Sequence, residues 1–590
     1  MAKSELPNAT IANALEELGD LYELDGAIVH RVLAYRNAAK AVREASVSVA
    51  GLAREGRATE LSGIGQTLEQ KILALLDTGT TPSTERLRAK FPPGLIAITR
   101  LPGLGTKRAR LLYTELGVDS VEKLREAALT QRIRDVRGLG PKFETSVLMA
   151  LEAGMAEHTA RRVLLPRALE IGEALASGLS ARGAPGTEVR VAGSARRMAD
   201  SVKDIDLIAV TPERSKSNAR TLAQSLGELD EIESASSAGP TAARGRTHSG
   251  VSVDVRVARP EQLGNLLQHF TGSGPHNAAL RERAVRKGLH VSEHGVLDDA
   301  DGRTRTCASE EEMYELLGLA YIPPELREHR GELDAAALDG GSGLPTLIEE
   351  RDIRGDLHCH TVASDGKNTI EEMALAARER GYEYLAITDH SATHGFGNDV
   401  SPEQLRRQIE HVREADARIE GIALLAGSEV NILPDGSLDY EDELLGELDW
   451  VIASVHTAFG MGEQAMTERV IVAIEHPLVD AIGHPTGRLI ERREPYAIDL
   501  DAVFATAART RTMLEINANP DRRDLSELHA RAAVRAGARL LIDSDAHRTG
   551  TLQNMRWGIA TARRAWLTKE DIANTRPWGE LAQLRKRGCK

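Results

Sequence analysis

From the N-terminus to about position 150, apolar residues recur every three to four positions in Ala-, Leu-, Arg- and Glu-rich stretches broken by short glycine turns. That period predicts helices with one buried face. From about Glu188 the period falls to two, in runs such as VRVAG, DIDLIAV and VSVDVRVA, which predicts strands mixed with helices. Residues 321–350 contain YIPPEL and then DGGSGLP, a Pro/Gly/Ser-rich stretch that reads as a linker. After it, short apolar runs (YLAITDH, ALLAGSEV, DWVIASVH, DAIGHP, TMLEINAN, RLLIDSDAH) alternate with helical segments to the C-terminus. Sustained strand–helix alternation fits a parallel α/β barrel with polar residues at the strand C-ends.

Composition narrows the setting. At 590 residues with 41% hydrophobic positions, the chain can bury several cores but is too long for one. Three cysteines, Cys307, Cys359 and Cys589, make neither a disulfide framework nor a CxxC site, which suits a reducing cytosol. The polar start MAKSELPNAT lacks a signal-type apolar core, and no apolar run reaches a membrane span of ~18 residues. A soluble, monomeric cytoplasmic protein, associated with the nucleoid and not with membranes, is expected. The net charge of −14 argues at first against a nucleic-acid partner. Its distribution reverses that: residues 351–590 carry 30 Lys+Arg against 39 Asp+Glu, whereas residues 97–150 carry 10 against 6. A local basic platform can bind phosphate backbones, and with aromatics at only 3%, base stacking cannot dominate.

One pattern recurs three times in the helical half: Leu61-Ser62-Gly63-Ile64-Gly65, Leu101-Pro102-Gly103-Leu104-Gly105 and Val136-Arg137-Gly138-Leu139-Gly140. A Gly-apolar-Gly turn opening a helix exposes unpaired N–H groups at the positive end of the helix dipole, which suits a phosphate. Lys107 and Lys142 follow the second glycine by two residues, adding charge there. A single such turn also serves as a plain helix connector; three matched copies resemble helix-hairpin-helix motifs, which contact DNA through its backbone.

In the strand-rich middle, Asp204-Ile205-Asp206 places two carboxylates on one strand face, and Val253-Asp254-Val255 supplies a third from another strand. Three converging aspartates suit two Mg²⁺ or Mn²⁺ ions that activate a hydroxyl and neutralise a triphosphate. Arg256 shares a face with Asp254 and offsets the repulsion. Gly193-Ser194-x-x-Arg197, the three aspartates and Phe270-Thr271-Gly272-Ser273 together resemble the palm of family X nucleotidyltransferases, typified by DNA polymerase beta. The resemblance implies metal binding by Asp204, Asp206 and Asp254. It also implies contact of Gly193, Ser194 and Arg197 with the triphosphate, of Phe270, Gly272 and Ser273 with the sugar region, and of Asn277 and Arg281 with nucleotide and template. Upstream, His30 and Ala34-Tyr35-Arg36 resemble the small domain that grips a 5′-phosphate. Lys71 falls where eukaryotic relatives carry a Schiff-base lysine, although it reads equally well as a solvated helix lysine. Lys203 and His269 depart from the family pattern without removing a ligand.

Ten of the 18 histidines lie in the last 240 residues, mostly at strand ends. His358 and His360 share two-residue spacing, with Cys359 pointing oppositely, and HxH…D…TDHS…GSE…SVH…GHP…DSDAH resembles the PHP (polymerase and histidinol phosphatase) superfamily. That resemblance implies a trinuclear site made by His358, His360, Asp365, His390, Glu429, His456, His484, Asp545 and His547. Mixed imidazole and carboxylate donors suit two to three Zn²⁺, Mn²⁺ or Fe²⁺ ions and phosphoester hydrolysis. His394, His411, His476 and His529 fit no position of the motif, and Asp389 reads as a brace for His390.

Together the halves resemble bacterial family X polymerases with a fused PHP domain. The implied architecture is all-α helix-hairpin-helix domains at 1–90 and 91–150, an α+β nucleotidyltransferase palm at 151–258, a nucleotide-selection subdomain at 259–320, the linker, and a distorted (β/α)7 TIM-like barrel at 351–590. The implied function is filling of short gaps in DNA repair from gapped or primer-template DNA and dNTPs, with 3′-5′ exonuclease or other 3′-end processing and abasic-site incision by the PHP half. A DNA-tethered nuclease or phosphatase with a weak polymerase, and a DNA-end scaffold, are the competing readings.

Overall fold

The computed structural model describes residues 6–99, 101, 103–152, 162–212, 221–222, 224–237, 241–393, 395 and 399–587; Pro102, His394 and Cys589 lie outside them. Two compact units form: Met1–Val163 with Glu170–Val191 and Lys203–Arg259, and Leu164–Leu169 with Ala192–Val202 and Pro260–Lys590. The stretch 151–258 contributes to both units, with Leu164–Leu169 and Ala192–Val202 in the second.

The first unit begins all-helical. Helices Asn8–Leu24, Val29–Glu44 and Gln66–Thr78 close over Ile11, Leu15, Leu18, Val32 and Ile72. A second cluster, including Leu104, Leu112, Leu124, Leu139 and Val147, joins helices Gly105–Leu116, Val121–Leu129 and Pro141–Glu152. Gly79 and Gly117 end two of these helices at φ +76° and +68°, where a side chain would be strained.

A five-stranded sheet follows: β1 (Glu188–Val191), β2 (Asp204–Val210), β3 (Ile232–Ser237), β4 (Ala242–Thr247) and β5 (Ser252–Ala258), in the order β1-β2-β5-β4-β3. Strands β2 and β5 run parallel and their neighbours antiparallel. The period-two pattern decides the faces: Ile205, Leu207, Val253 and Val255 are buried with Ile171, Leu175 and Leu179 of helix Leu165–Arg182, leaving the aspartates on the other face.

In the second unit, helices Leu263–Thr271 and Gly274–Val285 and the antiparallel strands β6 (Leu289–Ser292), β7 (Gly295–Asp298) and β8 (Arg303–Arg305) enclose Leu280, Val296, Met313 and Tyr314. Residues 321–350 depart from expectation, because they are packed and do not form a free tether. Ile322, Arg327, Glu332 and Ile348 are completely buried, and Arg327 donates to Glu310 and to the Ile322 carbonyl while stacking over Tyr314 and Tyr321. Proline and glycine set the path of this segment, but its scattered apolar residues and one arginine find partners in the core.

Among the described residues, seven parallel strands then form a nearly closed barrel in chain order: β9 (Gly355–Asp356), β10 (Tyr384–Ile387), β11 (Ala423–Asn431), β12 (Trp450–Ser454), β13 (Ala481–Ile482), β14 (Met513–Asn517) and β15 (Leu540–Asp543). A parallel bridge between Cys359 and Ala546 links the first strand region to the last. Alternation divides each strand between two cores: Tyr384, Ala386, Trp450, Ile452 and Leu541 share one cluster, and Leu385, Ile387, Val451, Ala453 and Ile542 the other, with the surrounding helices.

Candidate functional site

The three glycine turns are built alike. Gly63, Gly103 and Gly138 have φ of +88°, +79° and +90°, and each leads into a helix beginning at Gln66, Gly105 or Pro141. The residue between the glycines, Ile64, Leu104 or Leu139, is buried, while Gly65, Gly105, Gly140, Lys107 and Lys142 are exposed. An anchored apolar residue therefore holds an exposed N–H-bearing turn at a helix start, the geometry that receives a phosphate. Arg36, expected at a 5′-phosphate, is engaged by Asp20 at 3.0 Å and Glu23 at 2.6 Å. Lys71 is half-buried and donates to Ser83 Oγ at 2.9 Å; Tyr22, stacked on Tyr35, has its hydroxyl pKa lowered by Ser83 and Lys71 against the opposing effect of burial.

On the sheet, Asp206 lies directly across from Asp254, and Asp204 lies across from Ser252. All three carboxylates sit on the face away from the core, with Asp204 exposed and the other two half-buried. Arg256 Nε approaches Asp254 at 2.8 Å, as the spacing anticipated, and Arg244 Nε from the neighbouring strand at 3.4 Å, so two cations flank the carboxylate.

Gly193, Ser194 and Arg197 belong to the second unit. Gly193 opens the short helix Gly193–Arg196 at φ +65°. Arg197 donates from Nε to Glu328 at 3.0 Å and from Nη1 to the Thr271 carbonyl at 2.7 Å. Arg196 grips Glu310 and Thr271. Gly272 is required by space: a Cβ there would lie 2.5 Å from Asn277 Oδ1. Asn277 is held by Gln268 and donates to the His269 carbonyl. Ser273 serves as the N-cap of helix Gly274–Val285 by accepting from His276 N. Phe270 is half-buried with its ring edge-on to His269, and Arg281 is exposed.

The barrel gathers its ligand candidates at strand C-ends. His360, Asp365, His390 and His547 form one group, His358, His360 and Asp545 a second, and His390, Glu429 and His456 a third, the donor atoms of each lying within 4.8 Å of one another. His484 joins through Nε2, 2.9 Å from Glu429 Oε1. All nine expected side chains therefore converge, with Glu429 at the hub: His390 Nδ1 is at 2.8 Å, His456 Nε2 at 3.2 Å and His358 Nε2 at 3.4 Å. Two ligands of a tetrahedral ion at ~2.1 Å are about 3.4 Å apart, so the His456 and His358 spacings suit donors turned toward a shared cation, while His390 and His484 lie at hydrogen-bond distance from Glu429. The nitrogens His358 Nε2 and His360 Nε2, which face Glu429 and Asp545, are buried without a hydrogen bond among the described residues, a state that metal ligation relieves. Burial would raise the pKa values of Glu429 and Asp545 above the carboxylate range, but the surrounding histidines hold both well below it. Burial pulls His484 down to about 3, keeping it neutral. Ionised carboxylates and neutral imidazoles are the forms that bind metal; the same carboxylates raise His358, His390 and His547, so a cation bound there would displace protons from these rings. Asp545 and His484 have φ of +52° and +28°, strain of the kind held at functional sites by their surroundings.

Sequence reasoning missed the residues behind these ligands. Glu515 accepts from His358 Nδ1 at 2.6 Å, from the His484 backbone N–H at 2.6 Å and from Asn517 Nδ2 at 3.1 Å. Asn517 also donates to Asp545 Oδ2 at 3.2 Å. The alternation of MLEIN puts Glu515 and Asn517 on one strand face, which was the available signal. Asp389 braces a different group from the one expected: its carboxylate takes Thr361 N–H and Oγ1, Ser364 Oγ and Gln408, so it shapes the loop that carries Asp365. Beside the site, a cavity of about 490 Å³ is lined by residues including Thr361, Gln404, Arg407, His411 and Arg418.

Known proteins share these features. Family models match residues 6–81 (helix-hairpin-helix domain), 95–153 (SAM-like helix-hairpin-helix tandem), 266–328 (DNA polymerase beta thumb) and 356–519 (PHP domain). The chain is 37% identical over 579 residues to the DNA polymerase/3′-5′ exonuclease PolX of Bacillus subtilis, covering 98% of this chain and 99% of that protein. The chain is also 33% identical over 245 residues to a probable phosphatase of Shewanella sediminis and 32% over 239 residues to one of Thermoanaerobacter; these alignments cover 40% and 37% of this chain and 95% and 89% of the relatives.

Proposed function

The chain belongs to the family of PolX-type DNA polymerase/3′-5′ exonucleases, a DNA polymerase beta-like polymerase joined to a PHP domain, and on that footing we propose how its residues divide the work. The protein is a DNA polymerase with a 3′-5′ exonuclease, and its helix-hairpin-helix domains engage the DNA. The domains divide as helical DNA-binding 1–90, duplex-binding 91–150, palm 151–258 and nucleotide selection 259–320, with the PHP phosphoesterase at 351–590. The substrate is a short gap in repair, filled from dNTPs, and Gly63, Gly65, Gly103, Gly105, Lys107, Gly138, Gly140 and Lys142 hold its backbone.

The observation that carries the polymerase reading is the parallel pairing of Asp206 with Asp254, two residues along from Asp204. These three residues would hold two Mg²⁺ or Mn²⁺ ions, which supply an activated 3′-hydroxyl and charge neutralisation when bound. Arg256 moderates the carboxylate repulsion. Gly193, Ser194 and Arg197 receive the triphosphate, Phe270, Gly272 and Ser273 shape the sugar pocket, and Asn277 and Arg281 face nucleotide and template. The half-buried Lys71 amine, beside Ser83 and Tyr22, would be the nucleophile in a lyase attack on a sugar aldehyde.

In the PHP half, the nine converging side chains would hold two or three Zn²⁺, Mn²⁺ or Fe²⁺ ions, which when bound supply hydroxide and a phosphate clamp. Glu515 fixes the ring of His358, Asn517 fixes Asp545, and Glu429 ties four histidines together. Its substrates are 3′-terminal nucleotides, blocked 3′ ends and abasic sites. A gapped-duplex assay in Mg²⁺ and in Mn²⁺ tests the division. Asp204→Ala and Asp254→Ala proteins should lose extension and keep 3′ digestion, and His358→Ala and Asp545→Ala proteins should do the reverse. Unchanged extension by Asp254→Ala would overturn the polymerase centre. The similarity to short probable phosphatases supports a second reading of the PHP half, small-monoester hydrolysis, which predicts histidinol phosphate cleaved in preference to DNA ends.

A further inference from the structure

Within the second unit, the turn 197–200 is gripped by arginines of the PHP barrel. Arg564, at the end of barrel helix Met555–Arg564, donates from Nη1 to the Arg197 carbonyl at 2.7 Å and to Glu328 Oε1 at 3.0 Å, and from Nη2 to Glu527 Oε1 at 3.0 Å. Arg523, fully buried, donates from Nη1 to the Met198 carbonyl at 3.0 Å and lies 3.1 Å from Asp200 Oδ1; its Nε bonds Thr561. Arg488 takes the other oxygen of Asp200 at 2.9 Å. Met198, at the centre of the turn, has φ +57°, a conformation that an ordinary side chain adopts only when its surroundings impose it.

Glu328 closes the circuit. The Oε1 atom that receives Arg564 also receives Arg197 Nε, so the barrel arginine and the expected triphosphate-binding arginine share one carboxylate oxygen. Burial would raise the pKa of Glu328, but Arg564 and Arg197 hold it lowered, so it stays ionised between them. Buried ion pairs are a poor source of net stability, because desolvation offsets the attraction, yet they fix one geometry well. Three barrel arginines placed on two carbonyls and one carboxylate of a single turn fit that role.

We infer that Arg564 and Glu328 are positioning residues for nucleotide addition, through which the PHP barrel sets Arg197 for the triphosphate. The inference rests on the reading of Arg197 given above. Arg197 meets the nucleotide; Arg564 acts only through the Arg197 backbone and Glu328.

The test is steady-state gap filling by the full-length protein with dNTP varied, alongside digestion of a single-stranded 3′ end by the same preparations. Arg197→Ala first establishes the premise with a dNTP KM at least about tenfold higher. Arg564→Ala, and Glu328→Gln as a variant that keeps the shape of the packed site, should each raise the dNTP KM about fivefold or more. The kcat and the 3′ digestion should stay within twofold of wild type. If Arg197→Ala raises KM and neither other variant does, the inference fails while the Arg197 reading stands. If Arg197→Ala leaves KM unchanged, the Arg197 reading fails and the inference with it. Parallel loss of kcat and 3′ digestion in Glu328→Gln would mark a structural role only and overturn the inference.

Discussion

Replacing Glu515 with glutamine separates ligand placement from metal chemistry. The carboxylate accepts three N–H donors, from His358 Nδ1, the His484 backbone and Asn517. A glutamine of the same outline has one acceptor oxygen. If that oxygen faces His484 and Asn517, the amide N–H group points at His358 Nδ1; if reversed, it opposes two donors. In either pose the ring of His358 loses its charged partner, whose fixing of ring orientation and basicity sets ligand strength. Loss of such a partner costs roughly 10–100-fold in metal affinity, about 1.4–2.7 kcal/mol. The assay is 3′ digestion as a function of Mn²⁺ concentration. Half-saturation should move up by that factor, with the maximal rate recovered to within a few-fold at high Mn²⁺ and primer extension unchanged. An unmoved half-saturation with a collapsed maximal rate would refute the reasoning, because it would place Glu515 in the chemistry.

Gly272→Ala forces a Cβ to within 2.5 Å of Asn277 Oδ1, so an overpacking loss of about 1–3 kcal/mol in urea unfolding is expected, together with weaker dNTP binding; a stability equal to wild type would contradict the contact. Burial would raise the pKa of Glu527, but Arg564 and Arg330 bring it down to about 2 in the folded state from an ordinary 4.5. Its contribution is therefore complete above pH ~4.5 and lost as pH falls toward 2, on the order of 3 kcal/mol at most. The stability difference between wild type and Glu527→Gln should shrink across that window in denaturant titrations, and a pH-independent difference would exclude the pairing. Lys107→Ala and Lys142→Ala should each reduce the slope of log Kd against log salt for duplex DNA by about one unit, without changing sequence preference.

Much of the site was readable before any tertiary information, because its signals are local. Two-residue spacing alone puts Asp204 with Asp206 and His358 with His360, and a Gly-apolar-Gly turn before a helix needs no distant partner. The motif strings then named the nine side chains that converge in the barrel, and strand–helix alternation located the barrel. Residues whose role depends on what lies across the fold escaped. Glu515 looks like any strand carboxylate until β14 brings it against His358. Asp389 shares a motif with His390 yet spends its oxygens on the loop of Asp365. Arg36 was read within a motif that resembles a 5′-phosphate grip and lies bonded to Asp20 and Glu23. Residues 321–350 have the composition of a tether but bury Ile322, Arg327 and Glu332. Periodicity and spacing thus determined which residues are candidates for the chemistry and on which faces of their own elements they stand. Tertiary structure alone decided which buried charges neutralise one another, including the barrel arginines on the turn after Arg197. Partners hundreds of residues apart leave no mark on a local pattern, while the cost of burying a charge unpaired makes them obligatory once the chain is folded.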